Sequence, residues 1–204
     1  IADRSQRLSL PWVLVLNEGL EPEPIALGHS GISQALSADS TATASSQGIS
    51  WNFFDKGVVI NMLGAYLGTP DSEDDSERPW EEFLSLCRDY RPERPFDSLV
   101  VTVPVDLLMS SDPNARLELN RLAKLANRRL WKAQNRFAMR FSVYVMVSGC
   151  ERLTGFAPFA RALPEPMRKS MLGWSSPYEI TATYQDNWVD QAVDHTVQTL
   201  SDTS

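Results

Sequence analysis

The 204 residues carry 26 acidic against 19 basic side chains, a formal net charge of −7, and 43% of them are hydrophobic. That balance excludes nucleic acid as the main partner, because phosphate binding needs a basic footprint, yet it supplies enough apolar material for a full core. Two cysteines, Cys87 and Cys150, make no disulfide framework and point to a reducing compartment. Two histidines, His29 and His195, leave little material for a transition-metal site, and no cofactor or metal is expected. The longest apolar runs, 99–105 and 141–147, are too short to span a bilayer. No basic start followed by an apolar stretch marks a signal peptide. The opening Ile1-Ala2-Asp3 lacks a methionine, so the chain reads as a piece of something larger.

In chain order, Val13-Leu14-Val15-Leu16 is a short continuous apolar run within 12–16, as expected of a strand buried on both faces. Residues 33–48 are small and polar and read as a mobile loop. Trp51–Phe54 and Val58–Met62 flank Asp55-Lys56-Gly57, a hairpin signal with glycine at the turn. Residues 68–78, with Asp71, Glu73, Asp74, Asp75 and Glu77, read as a solvated acidic loop. Pro79 suits the first turn of a helix, after which Trp80, Phe83, Leu84, Cys87 and Tyr90 share one face. Leu99–Val105 is predicted as a strand and Asp106–Asp112 as a connector.

Asn114 to about Phe137 predicts a long amphipathic helix, with Leu119, Leu122, Ala126, Leu130, Ala133 and Phe137 along the buried stripe. Arg116, Arg121, Lys124, Arg128, Arg129 and Lys132 fall on its solvated side. Phe141–Val147 is another strand, Leu153–Leu163 a helix stopped by Pro164 and Pro166, and Asp186–Leu200 a last amphipathic helix. Strands separated by helices around one antiparallel hairpin predict an α/β three-layer domain with a mostly parallel sheet.

In such sheets ligands gather at the carboxyl ends of the strands, and three strand ends are informative. After the first strand a phosphate loop would place glycines at each end, then lysine and a hydroxyl residue. Those four positions read Asn17, Pro22, Glu23 and Pro24. A carboxylate stands where lysine would meet phosphate, and two prolines remove backbone N–H groups from a loop that works through them. The second strand end, Ile60-Asn61-Met62-Leu63-Gly64, has the frame of Asp-x-x-Gly, with Asn61 in place of the acid that would hold Mg²⁺ and Gly64 kept. The third, Ser148-Gly149-Cys150-Glu151, has the frame of Asn/Thr-Lys-x-Asp, the guanine-reading motif. Gly149 cannot pack over a base, and Glu151 is one methylene too long.

Residues 11–180 resemble the cytoplasmic NTPase-like domain of the IcmF/TssM family of secretion-system membrane proteins. The stretches that carry the resemblance begin with 11–16, His29-Ser30-Gly31, 51–54, 59–66 and 80–84. More specific is Tyr90-Arg91-Pro92-Glu93-Arg94-Pro95-Phe96-Asp97 running into 98–103. Asp106-Leu107-Leu108, 141–147 and Glu151-Arg152-Leu153-Thr154-Gly155-Phe156 complete the series. The resemblance implies a P-loop GTPase-like domain over 1–180, and 181–204 as a helical extension into a larger protein. It also implies a place on the cytoplasmic face of the bacterial inner membrane, with transmembrane segments outside this stretch. The implied partners are a DotU/TssL-type membrane subunit and baseplate proteins of a type VI system.

With the nucleotide contacts altered, the expected role is a docking domain with no catalytic step. The alternatives are a degenerate nucleotide switch or weak NTPase, and a stand-alone regulator with a borrowed fold. Single residues carry sharper and plainer readings. Glu23 could anchor a basic group or be a solvated loop carboxylate. Cys150 could be reactive or simply packed, and Asp106 could face a basic group or cap a turn. The basic face of 116–132 could meet an acidic partner or water. Trp12, Trp51 and Trp80 read as core rather than as a ligand platform.

Overall fold

The computed structural model describes residues 10–17, 48–63 and 78–202. The chain divides into two compact units, 1–148 and 149–204. In the first unit the strands are β1 (Trp12–Asn17), β2 (Ile49–Phe54), β3 (Gly57–Leu63), β4 (Ser98–Pro104) and β5 (Ser142–Ser148). The helices are α1 (Arg78–Tyr90), the short α2 (Val105–Met109) and α3 (Pro113–Phe137). The sheet runs in the order β2-β3-β1-β4-β5, with β2 antiparallel to β3 and the other neighbours parallel. The expected α/β class with one antiparallel pair is therefore the architecture present.

The crossovers β3–α1–β4 and β4–α3–β5 advance in the same direction across the sheet, so right-handed connection puts both helices on one face. Leu14, Leu16, Val58, Ile60, Met62 and Leu99 point to that face. There they pack with Trp80, Phe83, Leu84 and Cys87 of α1 and with Leu125 and Ala133 of α3. Among the described residues of this unit α1 and α3 form the one helical layer that the core cluster shows, so the second layer of the three-layer expectation is not among them.

β1 is secured at its first residue from both sides. Asp97 accepts a hydrogen bond from the Trp12 N–H at 2.7 Å and returns its own N–H to the Trp12 carbonyl at 2.9 Å. The guanidinium of Arg91, only 1% exposed, donates to Asp97 at 3.1 Å and lies 5.0 Å over the Trp12 ring. Arg94 pairs with the other Asp97 oxygen. On the β3 side the Val58 N–H donates to the Pro11 carbonyl at 2.9 Å. That approach explains Gly57, because a Cβ there would lie 2.8 Å from the Pro11 oxygen. The hairpin itself turns on Asp55 and Lys56, with Phe54 opposite Gly57, so the glycine serves the approach of Pro11 and not the turn.

Several helix details differ from the sequence reading. α1 buries Trp80, Phe83, Leu84 and Cys87, but Tyr90 is 59% exposed, since the helix ends there and the chain departs. The buried stripe of α3 runs Ala115, Leu122, Leu125, Arg129 and Ala133, with Leu119 and Ala126 only half-buried. Arg129 is thus not on the solvated face; it is fully buried, 5.8 Å over the Trp80 ring. α3 starts with Asp112 accepting from the Asn114 N–H and with proline in its first turn, and stops at Ala138 in the left-handed region (φ 52°). The connector 106–112 contains most of α2. The expected loops 33–48 and 68–78 fall almost wholly outside the described residues.

The second unit holds a 3₁₀ turn (Cys150–Arg152), α4 (Phe156–Ala162), the single-turn α5 (Glu165–Arg168) and α6 (Asn187–Ser201). The predicted helix 153–163 begins later, after Gly155 takes φ 88° as its N-cap. Tyr178 stacks on Trp188 at 4.5 Å, and Tyr184 meets the same indole edge-on at 5.7 Å.

The Asp97 node yields a direct stability prediction. Asp97→Ala leaves the Arg91 guanidinium buried without its carboxylate, which should cost about 3–5 kcal/mol. Chemical denaturation of the variant checks it, and a loss below about 1 kcal/mol would show that the node does not hold β1.

Candidate functional site

The parallel registers bring four strand ends to one edge of the sheet. Asn17 lies beside Leu63 of β3, and Pro104 of β4 beside Ser148 of β5. The predicted positions Asn17 and Ser148 therefore close strands of one sheet, on the edge where ligands bind in open α/β folds. Pro22, Glu23, Pro24 and Gly64 lie outside the described residues.

At the end of β1 the contacts are neutral. The Thr102 hydroxyl sits 3.1 Å from Asn17 Oδ1 and 3.2 Å from the Leu16 carbonyl, sharing one proton between two acceptors. Thr102 is buried and ties β4 to β1 where the first loop leaves the sheet. Sequence reasoning missed it, because a lone threonine in an apolar strand carries no motif. The only signal was its interruption of the run 99–105.

Asn61 is one residue out of phase with Ile60 and Met62, so it points away from α1, opposite Val15 and Ser50 in register. It is fully buried, and neither carboxamide atom has a hydrogen-bond partner among the described residues. The amide brings no charge with which to hold a cation. Among the described residues no three His, Cys, Asp or Glu side chains gather as a metal site.

In the second unit, Gly149 adopts φ 75°, and a Cβ built on it would fall 2.1 Å from the Arg152 guanidinium. Backbone conformation selects glycine here, and the arginine lies where a side chain at 149 would extend. Glu151 is exposed in the 3₁₀ turn. Burial first, then the Glu151 carboxylate, push the half-buried Cys150 thiol above its ordinary range. Asp106 sits in the first turn of α2, where a carboxylate suits the positive helix end. Trp80 is fully buried, and Trp12 and Trp51 pack edge-on at 5.4 Å against the core, so all three are packing residues.

A depression of about 480 Å³ lies elsewhere, lined by Arg78, Glu81, Glu82, Ser85, Leu86, Asp89 and Arg136. Its charges are largely satisfied internally, Arg78 by Glu82 at 2.9 Å and Glu81 by Lys132 at 3.1 Å. It includes none of the strand-end residues.

The fold defines an α/β domain with a mostly parallel sheet, and among the described residues the polar groups Asn17, Thr102 and Asn61 toward its ligand end are uncharged. The family described as the IcmF-related N-terminal domain matches residues 73–204, well over half of the chain, and the protein belongs to that family. The chain is also similar to the type VI secretion system component TssM1 of Pseudomonas aeruginosa, 25% identical over 178 residues. That alignment covers 84% of this chain but 16% of the relative, so the chain spans about a sixth of that protein. No solved structure matches. Among the described residues no helix is long and apolar enough to cross a membrane.

The two thiols separate cleanly by environment. Cys87 is 1% exposed and its thiol is pushed up to about 12 by burial, against a smaller opposing pull from Arg91. Reaction requires thiolate and access. A disulfide reagent at neutral pH should therefore titrate one thiol in the folded chain, slowly, and both in denaturant. The single reactive thiol should label faster as pH rises, because its raised pKa leaves little thiolate at neutrality. Two fast thiols in the folded state would contradict the burial of Cys87.

Proposed function

We propose that this chain is a nucleotide-independent docking domain of a bacterial secretion-system membrane complex of the type VI kind. The sheet order β2-β3-β1-β4-β5 with an antiparallel β2 supports a GTPase-like architecture. The observation that carries nucleotide independence is Asn61, a fully buried neutral amide at the strand position where a carboxylate would serve Mg²⁺. Two further features favour the same reading. Glu23 stands at the phosphate-lysine position, and Gly149 supplies no side chain to pack over a base. On this reading Asn17, Pro22, Glu23, Pro24, Asn61, Gly64, Ser148, Gly149 and Glu151 are the remnants of a nucleotide site that does no chemistry.

The family supports a reading of the surroundings as well. The domain would lie on the cytoplasmic face of the inner membrane, held there by transmembrane segments of the longer protein. It would meet a DotU/TssL-type membrane subunit and baseplate proteins through its surface, with no catalytic step. Support comes from the family match and from the similarity to a type VI secretion component.

Calorimetric titration with ATP and with GTP, each with Mg²⁺, tests the reading. Losing one charge-assisted phosphate contact costs about 1.5–3 kcal/mol, and three altered contacts together should push affinity beyond about 1 mM. Neither nucleotide should turn over above background. A dissociation constant below about 100 µM for either nucleotide overturns nucleotide independence and favours a degenerate switch.

A further inference from the structure

The face of the sheet away from α1 carries neutral polar side chains where β2 meets β3. Register sets Ser50 directly opposite Asn61 and Asn52 opposite Val59, so these side chains share that face with Val13 and Val15 of β1. Asn61 is fully buried, and neither its carboxamide oxygen nor its nitrogen has a hydrogen-bond partner among the described residues. The amide nitrogen of Asn52 is buried and without a partner there as well. Folded chains almost always satisfy such atoms, because a bare buried donor or acceptor keeps its full desolvation cost. Three of them on one face of two adjacent strands mark a position where something small is bound.

We infer that Asn61, Asn52 and Ser50 hold an internal water molecule between β2 and β3. The atoms decide the chemistry of what binds. Asn61 offers an acceptor oxygen and a donor nitrogen together, and Asn52 a second donor. A cation would meet the oxygen but oppose the N–H groups, an anion the reverse, and either would give up its hydration in a fully enclosed place. Water both donates and accepts, carries no charge and commonly makes about three bonds to buried polar groups. The Ser50 hydroxyl, opposite Asn61, supplies the third partner. Asn52 and Asn61 are diagonal across the antiparallel pair. Such positions stand about 7–8 Å apart, a span that two asparagine side chains and one bridging water cover. The valines beside them leave this water no other polar neighbour on β1, so it ties the edge strand β2 to β3.

The test uses the 204-residue chain free of nucleotide. In isotope-labelled protein the side-chain NH₂ groups of Asn61 and Asn52 should both show magnetic cross-relaxation with long-lived water. Relaxation dispersion of labelled water oxygen counts such waters and is blind to the exchanging Ser50 hydroxyl, so it separates bound water from hydroxyl exchange. Asn61→Leu, close in volume and unable to hydrogen-bond, should remove that water from the count while circular dichroism stays as in the parent. The cross-relaxation is read on the parent chain, so it decides the matter even if Asn61→Leu does not fold. Absence of water cross-relaxation at the Asn61 amide overturns the proposal. So does a scalar coupling from that amide to a protein carbonyl, which would make another part of the chain its partner. Equal water counts in the parent and a folded Asn61→Leu variant overturn it too. Nucleotide affinity in the calorimetric titration would remove nucleotide independence and leave this count, taken without nucleotide, as it stands.

Discussion

The carboxylate of Asp97 holds the beginning of the central strand, and the rest of the sheet is referenced to it. One oxygen accepts from the Trp12 backbone and from Arg91, and the other meets Arg94. Arg91 is buried to 1% exposure and spreads its charge over the Trp12 ring, so the carboxylate and the indole share its desolvation. The unusual Tyr90–Asp97 stretch is therefore a structural lock. It ends α1, turns the chain and sets β4 beside β1 in one register. On the other flank Pro11 and Gly57 fix β3 by backbone approach. Once β1 is placed, α1 and α3 have one common face to cover.

That lock bears on function because it operates at the end of the sheet opposite the ligand edge. Trp12 opens β1 and Asn17 closes it. Fold stability is therefore secured at one end, leaving the carboxyl ends free to change their chemistry without loss of architecture. Among the described residues the polar groups there are uncharged: Thr102 bonded to Asn17 and the Leu16 carbonyl, and the buried amide of Asn61.

Much of this was legible in the sequence because it rests on periodicity. The apolar run at 12–16, the paired runs around Asp55-Lys56 and the helical spacing of Trp80, Phe83, Leu84 and Cys87 each announced an element that is present. Two of the misreadings share one cause, which is that charge was taken to mean exposure. Arg129 was assigned to water although it lies under α3 against Trp80, and the true stripe through Leu122, Leu125, Arg129 and Ala133 was displaced as a result. Arg91 was likewise recognised only as part of a motif. A guanidinium can be buried when aromatic faces and carboxylates receive it, and those partners are distant in sequence: Trp12 is 79 positions from Arg91. The Thr102–Asn17 contact was hidden for the same reason, being a link across 85 residues.

The claim that the strand ends form no cation or nucleotide site is tested most directly at Asn61. Asn61→Asp restores the carboxylate with almost no change in shape. In a buried setting without donors among the described residues, the ionised form is disfavoured and the folded-state pKa rises above the unfolded value. The penalty should therefore be absent well below about pH 3.9 and grow as pH rises through that range. Thermal melts of this variant, recorded across pH with and without Mg²⁺ and GTP or ATP, give the answer. The account predicts a loss of at least about 1–3 kcal/mol at neutral pH, with no recovery on adding Mg²⁺ and nucleotide. A variant as stable as the parent, or one raised in melting temperature by Mg²⁺ with nucleotide, would contradict it.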